Sequence, residues 1–262
     1  MHNKIIKYCF CLLLLLAFYN FAIAADNNWH TAKSTHFIVY YKNAPEDFIT
    51  QLTNKSEDYY DKIASDLGFT RFNFWLWDNR AKIYIHDNAA DYQASTGQPG
   101  WSGGSTLASA KVIYTFPYAQ GFFEKTLPHE MGHIIFREFV GFDNQAIPLW
   151  LEEGVASYQE KTTYSMATAY IKKAIKEGSF MPLDKLSDFG PYLGVPDELV
   201  RLFYIESFSI VDFLIREFGR DKFVSFCQDL RDKKNLTRAI ASNYPFSDLR
   251  ELDDAWQKYL KK

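Results

Sequence analysis

"LPHEMGHIIF", residues Leu127 to Phe136, decides how the chain is read. Successive residues of an α-helix turn by about 100°, so positions four apart differ by about 40° and share a face. His129 and His133 are four apart, and a helix would aim both imidazoles at one point. Glu130 then lies about 100° round, where its carboxylate reaches a water at that point without being a ligand itself. Zn2+ suits two neutral imidazoles and a carboxylate, with a fourth position left to water. The metal brings that water's pKa towards about 7, and a nearby carboxylate can take its proton as it attacks a carbonyl. The bland alternative is an amphipathic helix that happens to carry two of the chain's six histidines. Pro128 favours a helix starting close by, because proline is tolerated in the first turn. Met131, Ile134, Ile135 and Phe136 give that helix apolar surface to bury, and a buried histidine pair without a metal is costly.

A third donor has to come from elsewhere. "IPLWLEEGVASYQ" (Ile147 to Gln159) offers Glu152 and Glu153 on a second helix, among Trp150, Leu151, Val155 and Ala156. Adjacent carboxylates in so apolar a setting repel and are poorly solvated unless a cation or hydrogen bonds compensate. An acid near the positive end of a helix accounts for one of them without any metal. On residue types alone, either could be the third ligand.

Upstream of the motif the signals are mostly those of strands. "HFIVYY" (His36 to Tyr41), "AKIYIHD" (Ala81 to Asp87) and "AKVIYTF" (Ala110 to Phe116) are rich in β-branched and aromatic residues. Between the first two, Phe48, Leu52, Tyr59, Ile63 and Leu67 recur at helical spacing after Pro45, and Gly68 is a stop. "GQPGWSGGST" reads as a loop. From about Phe122 the pattern turns helical: the motif helix, one after Pro148, one from Tyr164 to Lys176, "ELVRLFYIESFSIVDFLIREFG", and two or three more. Strands first and helices later predict an α+β fold, a small sheet packed on the motif helix. Residues 25–120 form its sheet part and residues 121–262 its helical part, within one domain.

Residues 1–24, "MHNKIIKYCFCLLLLLAFYNFAIA", have a basic start, an apolar run and a small-x-small end, the pattern of a secretory signal peptide cleaved after Ala24. An uncleaved anchor is the alternative, but Asn20 interrupts a run already short of the roughly 20 residues a span needs. The expectation is an exported protein, periplasmic or extracellular, with no stable membrane insertion after cleavage. Loss of Lys4 and Lys7, with no acidic residue, moves the formal charge from −3 to −5. A mildly acidic chain without a basic stripe is a poor partner for nucleic acid. Cys9 and Cys11 leave too, so Cys227 alone remains and no intramolecular disulfide can form. Asn54-Lys55-Ser56 and Asn235-Leu236-Thr237 match the glycosylation acceptor pattern, which is too short to carry weight.

His-Glu-x-x-His followed by a Trp-Leu-x-Glu-Gly helix resembles the gluzincin metallopeptidases, and in particular the small peptidase MA-like proteins. The sharp likeness is confined to residues 128–133 and 148–158, and the layout extends from about His36 to Gly219. The resemblance implies one Zn2+ per chain, held by His129, His133 and Glu153, with Glu130 as the general base. The glutamate before the glycine is the family's ligand. Eighteen residues between the second histidine and the ligand, as in aminopeptidase N relatives, would instead select Glu152. A metzincin would need a glycine and a third histidine soon after, and "HIIFREF" has neither.

Thermolysin-like relatives supply the oxyanion donor from a downstream histidine, and none follows His133. Aminopeptidase N relatives use a tyrosine well past the third ligand, a place held here by Tyr204, with Tyr158, Tyr192 and Arg201 as further candidates. The competing reading of Tyr204 is a core aromatic in the stripe Tyr204, Phe208, Val211, Ile215. Relatives bind extended peptide along a sheet edge, placed here near "WSGGST" and the strand Lys111 to Phe116. The aminopeptidase Gly-x-Met-Glu-Asn segment is absent, so the resemblance implies a peptide or protein substrate cut internally. A peptidase-like binding protein of the cell envelope without turnover is the alternative, although its expected mark, loss of the base, is not seen: Glu130 is intact.

Overall fold

The computed structural model describes residues 29–69, 75–119, 121–160, 163–190 and 194–261. The signal-peptide reading of residues 1–24 therefore lies outside the described residues, as does Tyr192. Among the described residues no helix is long and apolar enough to cross a membrane.

The architecture is α+β, as the order of strand and helix signals predicts. Strands β1 (His30–Lys33), β2 (Phe37–Tyr41), β3 (Ala81–Ile85), β4 (Gly104–Leu107) and β5 (Val112–Thr115) form one sheet in the order β1-β2-β3-β5-β4. The inner three strands are parallel, and β1 and β4 pair antiparallel at its two edges. Alternation sets the faces: Phe37, Val39, Ala81, Ile83, Ile85 and Ile113 are buried. The register puts Tyr40, Tyr84 and Tyr114 in one row on the other face, with ring centroids 4.7 and 5.5 Å apart.

Helix α1 (Glu46–Leu67) buries Phe48, Leu52, Tyr59, Ile63 and Leu67, the stripe its spacing predicts, and ends on Gly68 in the left-handed conformation. Phe69 stacks on Phe139 at 4.1 Å, joining the end of α1 to the motif helix. Helix α2 (Ala89–Thr96) follows β3; its cap, the Asn88 side chain, accepts from the Asp91 amide.

One π-helical turn, Phe122–Thr126, leads into α3 (Leu127–Val140), whose first turn contains Pro128. Then come α4 (Leu149–Tyr158), α5 (Thr163–Glu177), α6 (Leu183–Ser187), α7 (Asp197–Phe218), α8 (Arg220–Lys233), α9 (Leu236–Asn243) and α10 (Leu249–Leu260). Met131, Ile134, Ile135 and Phe136 of α3 are fully buried, as are Trp150 and Leu151 of α4 and Phe203, Ile210 and Leu214 of α7.

Four departures from the sequence reading have local causes. Gly104, Ser105 and Thr106, read as loop, belong to edge strand β4. Their strand character comes from a partner, Val112–Thr115, reached through a helical turn at Ala108–Ala110 and Lys111 at φ 53°. That left-handed residue also delays β5, which begins at Val112 rather than Ala110. Strand β1 carries little apolar signal because it is mostly exposed and is held by pairing, Thr31 opposite Tyr40. The short helices α2 and α6 are too brief to show a period.

Candidate metal centre

Helix geometry brings the two histidines together as their spacing requires. His129 Nε2 and His133 Nε2 lie 3.2 Å apart. Glu153 reaches them from α4, its Oε2 3.4 Å from His129 Nε2 and 3.5 Å from His133 Nε2. All three side chains are largely buried.

The triangle tests whether a metal fits. Ligand atoms about 2.0–2.1 Å from one tetrahedral ion stand about 3.3 Å from each other. The three edges here, 3.2, 3.4 and 3.5 Å, bracket that separation. The group His129, His133 and Glu153 could thus hold a metal ion, and its two nitrogens and one carboxylate oxygen suit zinc.

Two glycines of the motifs let the helices come close enough. A Cβ on Gly132 would stand 3.0 Å from the Ala156 Cα of α4. On Gly154 it would stand 2.2 Å from the Ser207 carbonyl oxygen of α7, a position no side chain can occupy. The glycine of Trp-Leu-Glu-Glu-Gly thus seats α4 against α7, and this packing sets where Glu153 points.

Of the outer ring nitrogens, His129 Nδ1 is hydrogen-bonded, whereas His133 Nδ1 only faces a carboxylate at ion-pair distance. Glu160 Oε1 lies 2.8 Å from His129 Nδ1, and Lys125 approaches its other oxygen at 3.8 Å from the rim. Glu152 Oε1 is 3.6 Å from His133 Nδ1, and the same carboxylate pairs with Arg137. Arg137 is anchored in turn on the Asn144 carbonyl at 3.1 Å. The adjacent glutamates therefore divide: Glu153 faces the histidine pair from inside and Glu152 supports it from outside. A carboxylate on the outer nitrogen fixes tautomer and ring orientation in metal-binding histidines.

The cluster is electrostatically hungry for positive charge. Burial pushes the His129 pKa down, but hydrogen bonds with Glu153 and Glu160 outweigh it and raise it to about 9. His133 is likewise depressed by burial and lifted well above its ordinary value by Glu153, Glu152 and Glu130. Burial pushes Glu152 up, but His133 and Arg137 pull it down to about 2. Glu153, raised by burial, is held far below the usual carboxylate range by the two histidines. Four carboxylates, Glu130, Glu152, Glu153 and Glu160, converge here on a few cationic partners.

Glu130 is buried and turned towards the sheet edge, where the Thr106 hydroxyl donates to its Oε2 at 2.6 Å. Tyr204, on α7, has its ring 6.0 Å from that of His129 and is half-buried. Tyr158 packs on Phe208 instead, and Arg201 is exposed. The sequence reading passed over Glu160, Arg137 and Thr106. Arg137 is four residues after His133 on α3, so helical phase carried a signal for it, whereas Glu160 lies beyond the end of α4 and helical phase does not reach it. Thr106 comes from a distant strand, and no local pattern marks it.

Fold and cluster together define a class: an α+β protein with a histidine–histidine–glutamate group beside the edge strand of its sheet. The comparison with protein families makes this specific. The model of the peptidase MA superfamily matches residues 77–262, and the chain belongs to that superfamily. Its function is accordingly metallopeptidase-like. The match begins just before β3 and runs through α10, later at both ends than the likeness read from the motifs. No curated protein matches the chain.

Proposed function

We propose that the protein is an exported, zinc-dependent endopeptidase in which His129, His133 and Glu153 hold the metal and Glu130 is the general base. The observation that carries this reading is the convergence of three donor atoms at tetrahedral spacing beside an intact glutamate. Zinc bound by His129, His133 and Glu153 would supply Lewis acidity, which lowers the pKa of a water towards about 7 and polarises a carbonyl. Glu130 takes the proton of the attacking water and delivers it to the departing amine nitrogen, so that one peptide bond and one water become a carboxylate and an amine. The Tyr204 hydroxyl, on a ring already beside His129, donates to the oxygen that gains charge during attack. Glu160 and Glu152 keep the imidazoles in the orientation that binding needs.

An extended peptide adding to the open edge at β4 would have its backbone held next to Glu130. Internal cleavage is supported by the absence of the glutamate-bearing segment that holds a free amine in aminopeptidases. Export rests on the signal-like pattern of residues 1–24, and a purified protein beginning at Ala25 is its check.

The test of the activity is a peptide-library digest by wild type and Glu130→Gln, with zinc measured in both. Cleavage by wild type alone, with about one zinc in each protein, is expected. Equal cleavage by the variant would remove Glu130 from the mechanism. Zinc in both with cleavage by neither would define a binding protein instead.

A further inference from the structure

We infer that Thr106 is a positioning residue that aims the Glu130 carboxylate, so that the edge strand sets the orientation of the base. This rests on the hydrolase reading of Glu130 given above.

The Thr106 hydroxyl donates to Glu130 Oε2 at 2.6 Å, a bond that is partly buried at its Thr106 end while Glu130 itself is buried. Hydrogen bonds to an ionised carboxylate are among the stronger ones, and a contact this short restricts rotation about the last side-chain torsion. The same hydroxyl also lies 3.4 Å from the Glu130 carbonyl oxygen, which ties it to the backbone of α3 as well as to the carboxylate.

Two residues earlier on the same face, Gly104 closes the other side. A Cβ there would stand 2.6 Å from Thr126 Cγ2, 3.4 Å from Glu130 Cγ and 3.5 Å from Glu130 Oε1. The carboxylate is thus flanked by Gly104 on one oxygen and gripped by Thr106 on the other.

The main chain of Thr106 has a second role by geometry. The Thr115 carbonyl accepts from the His86 amide, so Thr115 directs its backbone groups towards β3. Its partner Gly104 then belongs to a pair without mutual hydrogen bonds, and alternation turns the backbone groups of Gly104 and Thr106 away from β5. Strand β4 is the sheet edge, and among the described residues no strand pairs with it on that side. The Gly104 carbonyl there is already taken by the Ser102 hydroxyl at 2.7 Å. One residue, Thr106, therefore joins the open edge to the base: its side chain fixes Glu130 and its backbone lies where a peptide would pair.

Thr106→Val keeps the shape and the backbone but removes the donor, and Thr106→Ser restores it. With the full mature protein and a peptide cleaved by wild type, Thr106→Val should lower kcat by about tenfold or more with KM and zinc content unchanged. Thr106→Ser should recover most of the loss. A second readout needs no turnover. Acetohydroxamate chelates a metal through its two oxygens and gains a hydrogen bond from an aligned carboxylate acceptor beside it, so its Kd for the cobalt-substituted protein should rise several-fold in Thr106→Val and recover in Thr106→Ser.

Wild-type kcat in Thr106→Val, or an equally low kcat in Thr106→Ser, would overturn the inference. If wild type cleaves no peptide, the peptidase reading fails by itself, and the hydroxamate series still decides about Thr106. A hydroxamate affinity indifferent to the hydroxyl, or a wild type that binds no hydroxamate, would also overturn it.

Discussion

Two regions bury carboxylates, and they treat them in opposite ways. Around α3 and α4, burial pushes Glu153 up but two histidines hold it far below its ordinary range. On α7, Glu206 is also fully buried, yet among the described residues its one donor is the Met181 amide, at 3.2 and 3.3 Å. Burial, hardly offset by that bond and reinforced by Asp253, lifts Glu206 to about 8. Burial is common to both, so it cannot be the reason the first group stays ionised. The difference is the imidazole pair, which makes one region a group that could hold a cation and the other a clasp for a neutral carboxyl. Glu206 sits two residues from Tyr204, but it faces the segment between α5 and α6 rather than the histidines.

Removing the inner carboxylate should have the largest effect. Glu153→Ala takes away one of three converging donors and should weaken zinc binding by about a thousandfold or more, read by competition with a chelator. Glu152→Ala, which removes only the outer support of His133, should weaken it far less. The reverse order would exchange the roles of the two neighbours.

Glu160→Gln comes next. The carboxamide can still accept from His129 Nδ1 but lacks the charge, and a loss of about 10- to 100-fold in zinc affinity is expected. Unchanged affinity would reduce the Glu160–His129 bond to packing.

Glu206→Gln should act on stability instead, and its sign depends on pH. The folded pKa, about 8, lies above the ordinary value of 4.5. The stabilising contribution is therefore complete below about pH 4.5 and is lost as pH rises towards and through 8. The wild type should lose on the order of 3 kcal/mol from this source between pH 5 and pH 8, and the variant should not. Urea unfolding at both pH values checks it. Parallel curves for the two proteins would mean that Glu206 is ionised in the fold without cost, and the contrast between the two regions would fail.

What was legible in the sequence follows from how locally each feature is encoded. Helix α1 could be read because Phe48, Leu52, Tyr59, Ile63 and Leu67 all face one core, and the spacing alone says so. The approach of His129 and His133 is a property of any helix that carries them four apart. Glu152 and Glu153, being adjacent, gave no internal means of telling which faces inward; the packing of Gly154 on Ser207 resolves their directions, and that contact lies between helices distant in sequence. Strand β4 escaped because glycine, serine and threonine show no apolar alternation and depend on β5 for their form. Thr106 meets Glu130 only through that strand, so its part in the site was invisible until the sheet was assembled.

Binding of a zinc ion between α3 and α4 is tested most directly by zinc K-edge absorption on the purified mature protein. One zinc per chain, with two imidazole nitrogens and oxygen ligands at about 2.0–2.1 Å, lost in Glu153→Ala, is the expected result. A protein that takes up no zinc, or a spectrum unchanged by Glu153→Ala, would contradict it.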